Sequence, residues 1–135
     1  MTDDDYAAYI DAFNRNDFDQ FGKFYSPSVE FRLGDKKRIV GGPAIVDFYR
    51  EVKAKVRETL DVLAVAHGPG TLAAHVATEF VGLVDWPDFV AGPLMTGDVL
   101  RIESVCFYYL DAEDRFERII GARYRTLETI RAAAR

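Results

Sequence analysis

The segment GGPAIVDFYREVKAKV, residues 41–56, marks the point at which the apolar pattern of this chain changes. Its apolar residues recur every three or four positions: Ile45, Tyr49, Val52 and Val56. This spacing predicts an amphipathic helix, and Pro43 is well placed in its first turn. Beyond this segment the apolar residues alternate along the chain, as is typical of strands. Helices followed by a run of long strands predict an α+β fold.

Two further helices and a short strand are predicted before this segment. Thr2 and Asp5 can start the first helix, and residues 14–16 end it. This helix has one apolar stripe. The residues of that stripe are Tyr6, Tyr9, Ile10 and Phe13. Asp17 can cap a second helix, which Ser26-Pro27 stops. Its aromatic residues are Phe18, Phe21, Phe24 and Tyr25. The short strand covers 29–33.

Four long strands are predicted after the third helix. They cover residues 60–67, 71–84, 99–110 and 116–126, with turns at 68–70 and 111–114, a loop at 85–96 and a helical tail at 127–135. In the predicted fold a cone-shaped, curved antiparallel sheet wraps around the three N-terminal helices. The conical interior of such a sheet is a natural site for a small molecule.

The composition sets limits on the partners of the chain. Its 135 residues are enough for one domain with a continuous core. The net charge of −5 and the sequence pI of about 5.0 argue against nucleic acid and anionic membranes as partners. A single cysteine, Cys106, rules out an intrachain disulfide. No signal peptide or long apolar run is apparent, so we expect a cytoplasmic location.

Three tyrosines lie on the apolar faces of the three predicted helices: Tyr9, Tyr25 and Tyr49. A buried tyrosine hydroxyl needs a hydrogen-bond partner. The three phenols can therefore form a hydrogen-bonded chain, which in a low-dielectric site stabilises a developing negative charge. The alternative is that they are three unrelated core or rim tyrosines whose hydroxyls bond to water.

Four stretches of the chain are similar to segments of one superfamily. Residues 9–17, YIDAFNRND, are similar to the first helix and turn of ketosteroid isomerases, and 24–27 and 45–49 continue the match. Residues 92–97, GPLMTG, are similar to a Pro-x-Thr-Gly segment of SnoaL-like polyketide cyclases. The chain thus resembles the nuclear-transport-factor-2-like superfamily, which also includes scytalone dehydratases. The resemblance implies a single SnoaL-like domain over residues 1–135.

The resemblance also implies roles for the three tyrosines. In some steroid isomerases the tyrosine that matches Tyr9 donates a hydrogen bond to the dienolate oxygen. Those that match Tyr25 and Tyr49 extend the hydrogen-bond chain behind it. The isomerase general base, an aspartate, is replaced here by Leu33, and the second, protonated aspartate by Cys106. These replacements argue against steroid isomerisation and leave the general base unidentified.

The last two strands offer further candidates. Residues 119–124 lack the acidic residue that SnoaL-like cyclases usually carry on the last strand. Arg123 points into the cavity or away from it, depending on a one-residue bulge. Strand alternation is expected to turn Ser104, Cys106 and Tyr108 inward and Arg101, Glu103 and Phe107 outward. In relatives that outer face often forms a dimer interface, so we expect a homodimer.

The remaining titratable residues are weaker candidates. Asp35 either replaces the missing base or is an ordinary turn residue. His67 is expected in a turn and His75 on the outer sheet face, so no metal site is predicted. Cys106 has no activating neighbour in the sequence and is expected to be a structural thiol. Loop 85–96, with its large apolar residues, either covers the open end of the cone or packs across a dimer.

Two hypotheses of function remain open. In the first, the chain is an isomerase, cyclase or dehydratase without a cofactor that acts on a hydrophobic, oxygenated small molecule through Tyr9. In the second, it is a non-catalytic ligand-binding or dimerisation module. In a further version of the second hypothesis, phenylalanine side chains fill the interior and the fold serves only dimerisation. The residues expected to line the pocket are Phe13, Phe31, Leu33, Phe48, Val65, Val76, Thr78, Phe80, Trp86, Phe89, Met95, Ser104, Cys106, Tyr108 and Arg123.

Overall fold

The computed structural model describes residues 1–133. Within this range the helices are α1 (Asp3–Asn14), α2 (Phe18–Gly22) and α3 (Gly42–Lys55). The strands are β1 (Tyr25–Leu33), β2 (Lys37–Val40), β3 (Val56–Gly68), β4 (Thr71–Gly82), β5 (Val99–Leu110) and β6 (Phe116–Ile130). The predicted α+β class is confirmed. No helix in the described part of the chain is both long and apolar enough to cross a membrane.

The six strands form one open, curved sheet in the order β2-β1-β6-β5-β4-β3. All neighbouring strands are antiparallel except β1 and β6, which are parallel. The prediction of a purely antiparallel sheet is therefore wrong at this one pairing. A parallel pair needs a long connection, and α3 with β3 to β5 supplies it between β1 and β6.

The N-terminal helix begins and ends where the sequence predicts. The Thr2 hydroxyl accepts from the Asp5 backbone N–H at 3.1 Å, and the Asp5 carboxylate accepts from the Thr2 backbone N–H at 2.9 Å. This reciprocal capping box satisfies two backbone donors that a helix start leaves unpaired. The third helix also begins as predicted, with Gly41 as its N-cap at a φ of +99° and Pro43 in its first turn.

The second helix is shorter than predicted, which changes the position of one candidate residue. It ends at Gly22, and Tyr25 is the first residue of β1 rather than part of the helix. The reason is pairing with the sheet: the Phe116 N–H donates to the Phe24 carbonyl at 2.7 Å, and Tyr25 pairs with Phe116. Sheet hydrogen bonds thus replace the last helical turn that the aromatic spacing predicts.

Two further elements differ from the prediction near the ends of the sheet. The missed strand β2 contains the basic residues Lys37 and Arg38, which are typical of an exposed edge strand. The predicted helical tail is wrong over 127–130, where β6 continues and pairs Ile130 with Val99. Strand β6 extends this far because it pairs with β5 along the whole length of β5. Residues 131–133 are not helical, and 134–135 lie outside the described range.

One face of the sheet, called here the interior face, packs against α1 and α3. On β4 every second residue points to it and is buried, namely Leu72, Ala74, Val76, Thr78 and Phe80. Aromatic side chains from the helices fill the space above, including Phe13 and Phe21, whose ring centroids are 5.3 Å apart. Burial of each such ring contributes about 1.5–3 kcal/mol. These contacts hold the candidate site residues in position.

Candidate functional site

Strand β5 divides its side chains between the two faces as predicted. Tyr108 points to the interior face, because its hydroxyl lies 2.8 Å from that of Tyr6 in α1. Ser104 and Cys106 alternate in phase with Tyr108. They pair with Val76 and Ala74, both buried residues of the interior face. The interior face of β5 therefore presents a hydroxyl, a thiol and a phenol to the helices.

The opposite, outer face of the sheet carries an ion-pair network and apolar side chains. Arg101 donates to Glu79 at 2.9 Å, and Arg125 donates to Glu103 at 2.6 Å. His75 also lies on this face, as predicted, with Nε2 3.6 Å from the Glu103 carboxylate. Exposed apolar residues lie among these charges: Val105, Phe107 and Tyr124. Association of two copies through this face stays a prediction.

Two of the three singled-out tyrosines form a buried hydrogen-bonded pair. The hydroxyls of Tyr9 in α1 and Tyr25 in β1 lie 2.8 Å apart, and either can be the donor. Their rings meet edge to face with centroids 5.9 Å apart. Burial is the main cause that raises the pKa of both phenols well above the ordinary value. Both therefore remain protonated at neutral pH. Tyr9 and Tyr25 are called the phenol pair below.

The third tyrosine does not extend this pair into a chain. Tyr49 is buried on α3, where its ring packs edge-on against Phe13 at 4.9 Å and Phe31 at 6.1 Å. Within residues 1–133 no hydrogen bond joins its hydroxyl to Tyr9 or Tyr25. The expected three-membered chain is thus realised only as a pair.

A second phenol pair, which the sequence analysis did not anticipate, lies beside the first. Tyr6 and Tyr108 share a hydrogen bond of 2.8 Å, and the ring of Tyr6 lies 6.0 Å from that of Tyr9. Burial raises the pKa of Tyr6 and Tyr108 as well. The signal was present in the sequence, since Tyr6 shares the helical stripe of Tyr9 and Tyr108 has the inward phase of β5.

Leu33 and Cys106, which the resemblance matches with the two aspartates of steroid isomerases, flank Gly121 of β6 on opposite sides. Leu33 pairs with Gly121, which pairs with Cys106, so the three form one row across the sheet. A Cβ built at Gly121 lies 3.8 Å from both the Cys106 Sγ and the Leu33 Cδ2. Burial raises the pKa of the Cys106 thiol to about 11, so the group is neutral and is not a reactive thiolate.

One interior carboxylate was missed by the sequence analysis. Strand β3 begins at Val56, directly after α3, whereas the prediction began it at Leu60. The earlier start brings Glu58 into the sheet, opposite the buried Phe80. Glu58 is half-buried, and burial raises the pKa of its carboxyl to about 7. The alternation of Val56, Glu58 and Leu60 was the signal that could have revealed it.

A buried lysine lies near this carboxylate. Lys53, on the last turn of α3, donates from Nζ to the Phe13 carbonyl and to the Asn16 side-chain oxygen, each at 2.7 Å. Its ammonium also lies 3.9 Å from the Phe13 ring centroid. Burial lowers the pKa of Lys53 to about 8, and the nearby charge of Glu58 opposes this effect. Conversely, Lys53 lowers the pKa of Glu58 against the effect of burial.

Loop 85–96 packs onto its own chain at one end of the interior face. Phe89 is buried with its ring 5.2 Å from that of Phe80 and stacked 4.9 Å from Trp86. Arg123, in register with the interior residue Ser104, donates to the backbone carbonyl of Ala91 at 2.5 Å. The loop therefore contacts the interior face at Phe80 and the exposed Arg123 at Ala91, and its role as a cover of the cone or as a dimer element stays a prediction.

The other predicted residues are more scattered. Val65 is half-buried opposite Ala74, and Met95 is half-buried in the loop. Phe48 is half-buried on α3 and packs against the core, with the Lys37 ammonium 5.5 Å from its ring centroid. Asp35 is exposed in the turn between β1 and β2. His67 was expected in a turn but is paired with Leu72 near the end of β3, where it contacts the carboxylate of Asp3.

Two open surface depressions lie outside the cone. One, of about 440 Å³, is lined by Met1, Thr2, Asp3, Asp4 and His67. The other, of about 390 Å³, is lined by Arg15, Asn16, Asp17, Phe18, Asp19 and Arg50. Neither depression is lined by a residue that was predicted to line the pocket. Neither depression is lined by Tyr9 or Tyr25.

Comparison with known proteins relates this architecture to solved structures. No family model matches the sequence, and no curated protein matches it. A provisionally assigned polyketide cyclase from Xanthomonas campestris pv. campestris has a TM-score of 0.76 at 22% identity, over 87% of this chain and 85% of that one. A SnoaL-like polyketide cyclase from Agrobacterium tumefaciens strain C58 has a TM-score of 0.71 at 20% identity, over 89% and 88%. The chain has the nuclear-transport-factor-2-like fold.

More distant structures share this nuclear-transport-factor-2-like fold. An LEH-like epoxide hydrolase from M. tuberculosis matches with a TM-score of 0.71 at 11% identity, over 87% of this chain and 78% of that one. Such identities establish the fold and not the activity.

Proposed function

We propose that the chain is a cofactor-independent enzyme of the isomerase, cyclase or dehydratase kind, in which Tyr9 donates a hydrogen bond to a hydrophobic, oxygenated small molecule. The observation that carries this proposal is the 2.8 Å bond between the Tyr9 and Tyr25 hydroxyls at buried positions. When Tyr25 donates to Tyr9, the Tyr9 hydrogen is left to donate to a ligand. Hydrogen bonds in such a chain polarise and strengthen one another.

The chemistry of a buried phenol suits an oxygen that becomes anionic during a reaction. Because burial raises the pKa of Tyr9 well above its ordinary value, the phenol keeps its proton at neutral pH. A neutral donor binds a carbonyl oxygen weakly and an enolate oxygen more strongly, so the interaction stabilises the transition state more than the ground state. The surrounding rings of Phe24 and Phe116 lower the local dielectric and increase this difference.

The names of the structurally similar proteins support the proposed class of substrate, and those of the cyclases and the isomerase also support the reaction class. They are described as polyketide cyclases, an epoxide hydrolase and, in one provisional assignment from Kribbella flavida, a ketosteroid isomerase. Polyketides, epoxides and ketosteroids are all oxygen-bearing organic molecules. We extend to this chain the general class of substrate and none of the individual compounds. Steroid isomerisation itself is disfavoured by Leu33 and Cys106 at the two aspartate positions.

A second candidate is a ligand-binding or dimerisation module without chemistry. The row formed by Leu33, Gly121 and Cys106 favours it, because no carboxylate stands where the isomerases have two. The close aromatic packing around Tyr49 and Phe13 favours it as well, since side chains already occupy much of the space between helices and sheet. A module of this kind binds a ligand or a second copy and forms no product.

The two candidates are separated by a thermal-shift titration with phenols, steroid ketones and polyketide-like quinones, followed by a search for product. The variants are wild type, Tyr9→Phe, and Tyr124→Phe as a matched control. Tyr124 lies on the outer face and is 64% exposed, so its hydroxyl cannot take part in an interior site. A ligand at about 100 times its dissociation constant stabilises the folded state by about 2.7 kcal/mol and raises the midpoint by several degrees.

The proposal predicts a ligand-induced shift that is smaller in Tyr9→Phe and unchanged in Tyr124→Phe. Ligands that pass this test are then incubated with the protein and searched for product. Tyr9→Phe is expected to slow turnover by more than about 1 kcal/mol of barrier. Binding without product supports the module, and equal shifts in all three proteins remove Tyr9 from the site.

A further inference from the structure

The interior face of the sheet carries a carboxylate, Glu58, that has no role in the function proposed above. Of the carboxylates on the strands within residues 1–133, only Glu58 alternates in phase with the interior residues. It lies between the inward-facing Val56 and Leu60 on β3 and opposite the buried Phe80 on β4. Glu58 is half-buried, so part of its side chain remains accessible to a small molecule.

The surroundings of Glu58 keep a positive charge fixed near it. Lys53 is 7% exposed, and its ammonium is held by the Phe13 carbonyl, the Asn16 side chain and the face of the Phe13 ring. These contacts tie the C-terminal end of α3 to the end of α1. A fixed cation near a half-buried carboxylate favours its ionised form, while the carboxylate can still accept a proton.

Glu58 lies on the strand that is bonded directly to the helix of Tyr9. The side chain of Asn14 in α1 donates to the Leu60 carbonyl of β3 at 2.9 Å and accepts from the Leu60 N–H at 2.9 Å. Burial is the main cause that raises the pKa of Tyr25, Tyr49 and Cys106, and the charge of Glu58 adds to it. With Lys53, these are the titratable groups that interact with Glu58. A ligand whose oxygen contacts the phenol pair therefore lies over the same face of the sheet as Glu58.

We propose that Glu58 is the proton acceptor of this site and that Lys53 is a positioning residue that holds it in its working ionisation state. The inference rests on the function proposed above and supplies the base that Leu33 cannot. A carboxylate in this setting titrates near neutral pH, where a general base is most effective.

The step that this arrangement supports is enolisation. The Glu58 carboxylate takes a proton from a carbon next to the substrate carbonyl, and the C–H bond breaks. The electron pair forms a carbon–carbon double bond while the carbonyl π electrons move to oxygen, where Tyr9 donates its hydrogen bond. Collapse of the enolate returns the proton from Glu58 to a substrate carbon, so the enzyme is unchanged and no co-reactant is needed.

A probe reaction tests the base without knowledge of the natural substrate. A carboxylate base removes the ring proton of a nitro-substituted benzisoxazole, the C–H electrons form a nitrile, and the N–O bond breaks to release a coloured phenolate. The base then returns its proton to solvent. The proteins are wild type, Glu58→Gln, Lys53→Met and Glu117→Gln, the last altering an exposed glutamate of β6 as a matched control.

The expected result is a wild-type rate that Glu117→Gln retains and Glu58→Gln lowers by roughly 100-fold or more. The wild-type rate should rise with pH around the pKa of Glu58, about 7. Carbon NMR of labelled glutamate should show a carboxyl that titrates in the same range, and Lys53→Met should raise its midpoint and that of the rate profile together. A purely structural Lys53 would leave both midpoints unchanged.

A wild-type rate no higher than that of Glu58→Gln overturns the inference, as does titration of Glu58 at the ordinary glutamate pKa. Glu58→Gln is nearly isosteric and removes a buried charge, so loss of the fold is not expected; a thermal melt checks this. The proposed function fails separately. If ligand shifts still depend on Tyr9 while Glu58 is inert, only the base assignment is wrong; if the shifts are also independent of Tyr9, both proposals are wrong.

Discussion

The hydroxyl of Tyr108 lies 2.8 Å from that of Tyr6, although 102 positions separate the two residues in the chain. This bond joins the first helix to the interior face of β5, and it stands beside the bond between Tyr9 and Tyr25. All four phenols are buried, and within each pair the two hydroxyls are hydrogen-bonded to one another. The interior of the cone is therefore both tightly packed and able to donate hydrogen bonds.

The Tyr6–Tyr108 bond predicts a non-additive effect on stability. Either single change, Tyr6→Phe or Tyr108→Phe, leaves the partner hydroxyl buried without a hydrogen bond and should cost about 1–3 kcal/mol of unfolding free energy. The double variant should cost little more than one single change, because both polar groups are gone. Urea denaturation of the four proteins measures this, with Tyr124→Phe as the exposed control; additive losses would show that the bond contributes nothing.

The Glu58–Lys53 pair predicts an unusual dependence of stability on pH. Burial raises the pKa of Glu58 from 4.5 to about 7, so between these values the folded protein holds a proton that the unfolded chain has lost. The unfolding free energy should therefore fall as pH rises through this window, by at most about 1.4 kcal/mol per pH unit. Denaturant midpoints measured between these pH values test this, and Glu58→Gln should abolish the slope.

Lys53 predicts the opposite slope at higher pH. Burial lowers its pKa from 10.5 to about 8, so between these values the unfolded chain holds a proton that the folded protein has lost. The unfolding free energy should rise with pH in that window. Lys53→Met, measured by the same denaturation, should remove this rise. A wild-type profile that is flat from neutral to alkaline pH would contradict the assignment of a buried lysine.

A close approach of backbone at the end of β4 predicts that alanine is not tolerated there. A Cβ at Gly82 would lie 2.2 Å from the Met95 carbonyl oxygen, so loop 85–96 would have to shift. Gly82→Ala should cost roughly 1–3 kcal/mol of unfolding free energy. Gly121→Ala is the matched control, since its nearest contact is 3.7 Å. Equal unfolding free energies for the two variants would contradict the tight packing of the loop.

The hydrogen bonds of Asp98 predict that this residue holds loop 85–96 in place. Its buried carboxylate accepts from the Met95 N–H at 2.9 Å, the Ala132 N–H at 2.9 Å and the Arg131 guanidinium at 2.8 Å. Asp98→Asn should weaken these charge-assisted bonds and make the loop more susceptible to limited proteolysis. Asp88→Asn, an exposed change in the same loop, serves as control. Identical cleavage rates in both variants would show that Asp98 does not hold the loop.

The fold was predictable from the spacing of apolar residues. The segments that form a strand where that spacing predicts a helix were not. The stripe of α1 and the alternation of β5 each follow from local spacing, and both elements occur with the predicted bounds. Tyr25 was placed in a helix because its aromatic spacing continues that of Phe21. Its true position depends on pairing with Phe116, a contact between distant parts of the chain that no local pattern records.

The candidate site was predictable only in part for the same reason. The inward phase of Tyr108 and Cys106 followed from strand alternation, but the pairing of Tyr108 with Tyr6 depends on where α1 crosses the sheet. Glu58 was missed because β3 begins without a turn after α3. A charged residue between Val56 and Leu60 interrupts the alternation of apolar residues that predicts a strand. Only the pairing of Glu58 with Phe80 shows that Glu58 faces inward.

The most direct test of the phenol pair is the affinity of wild type and Tyr9→Phe for phenols of similar size and falling pKa, measured by calorimetry. The account predicts that wild-type affinity rises along the series as the ligand oxygen gains negative charge. Tyr9→Phe should flatten this trend and weaken phenolate binding roughly 10- to 100-fold, the value of a hydrogen bond to a charged group. Parallel trends of equal affinity in the two proteins would contradict the account.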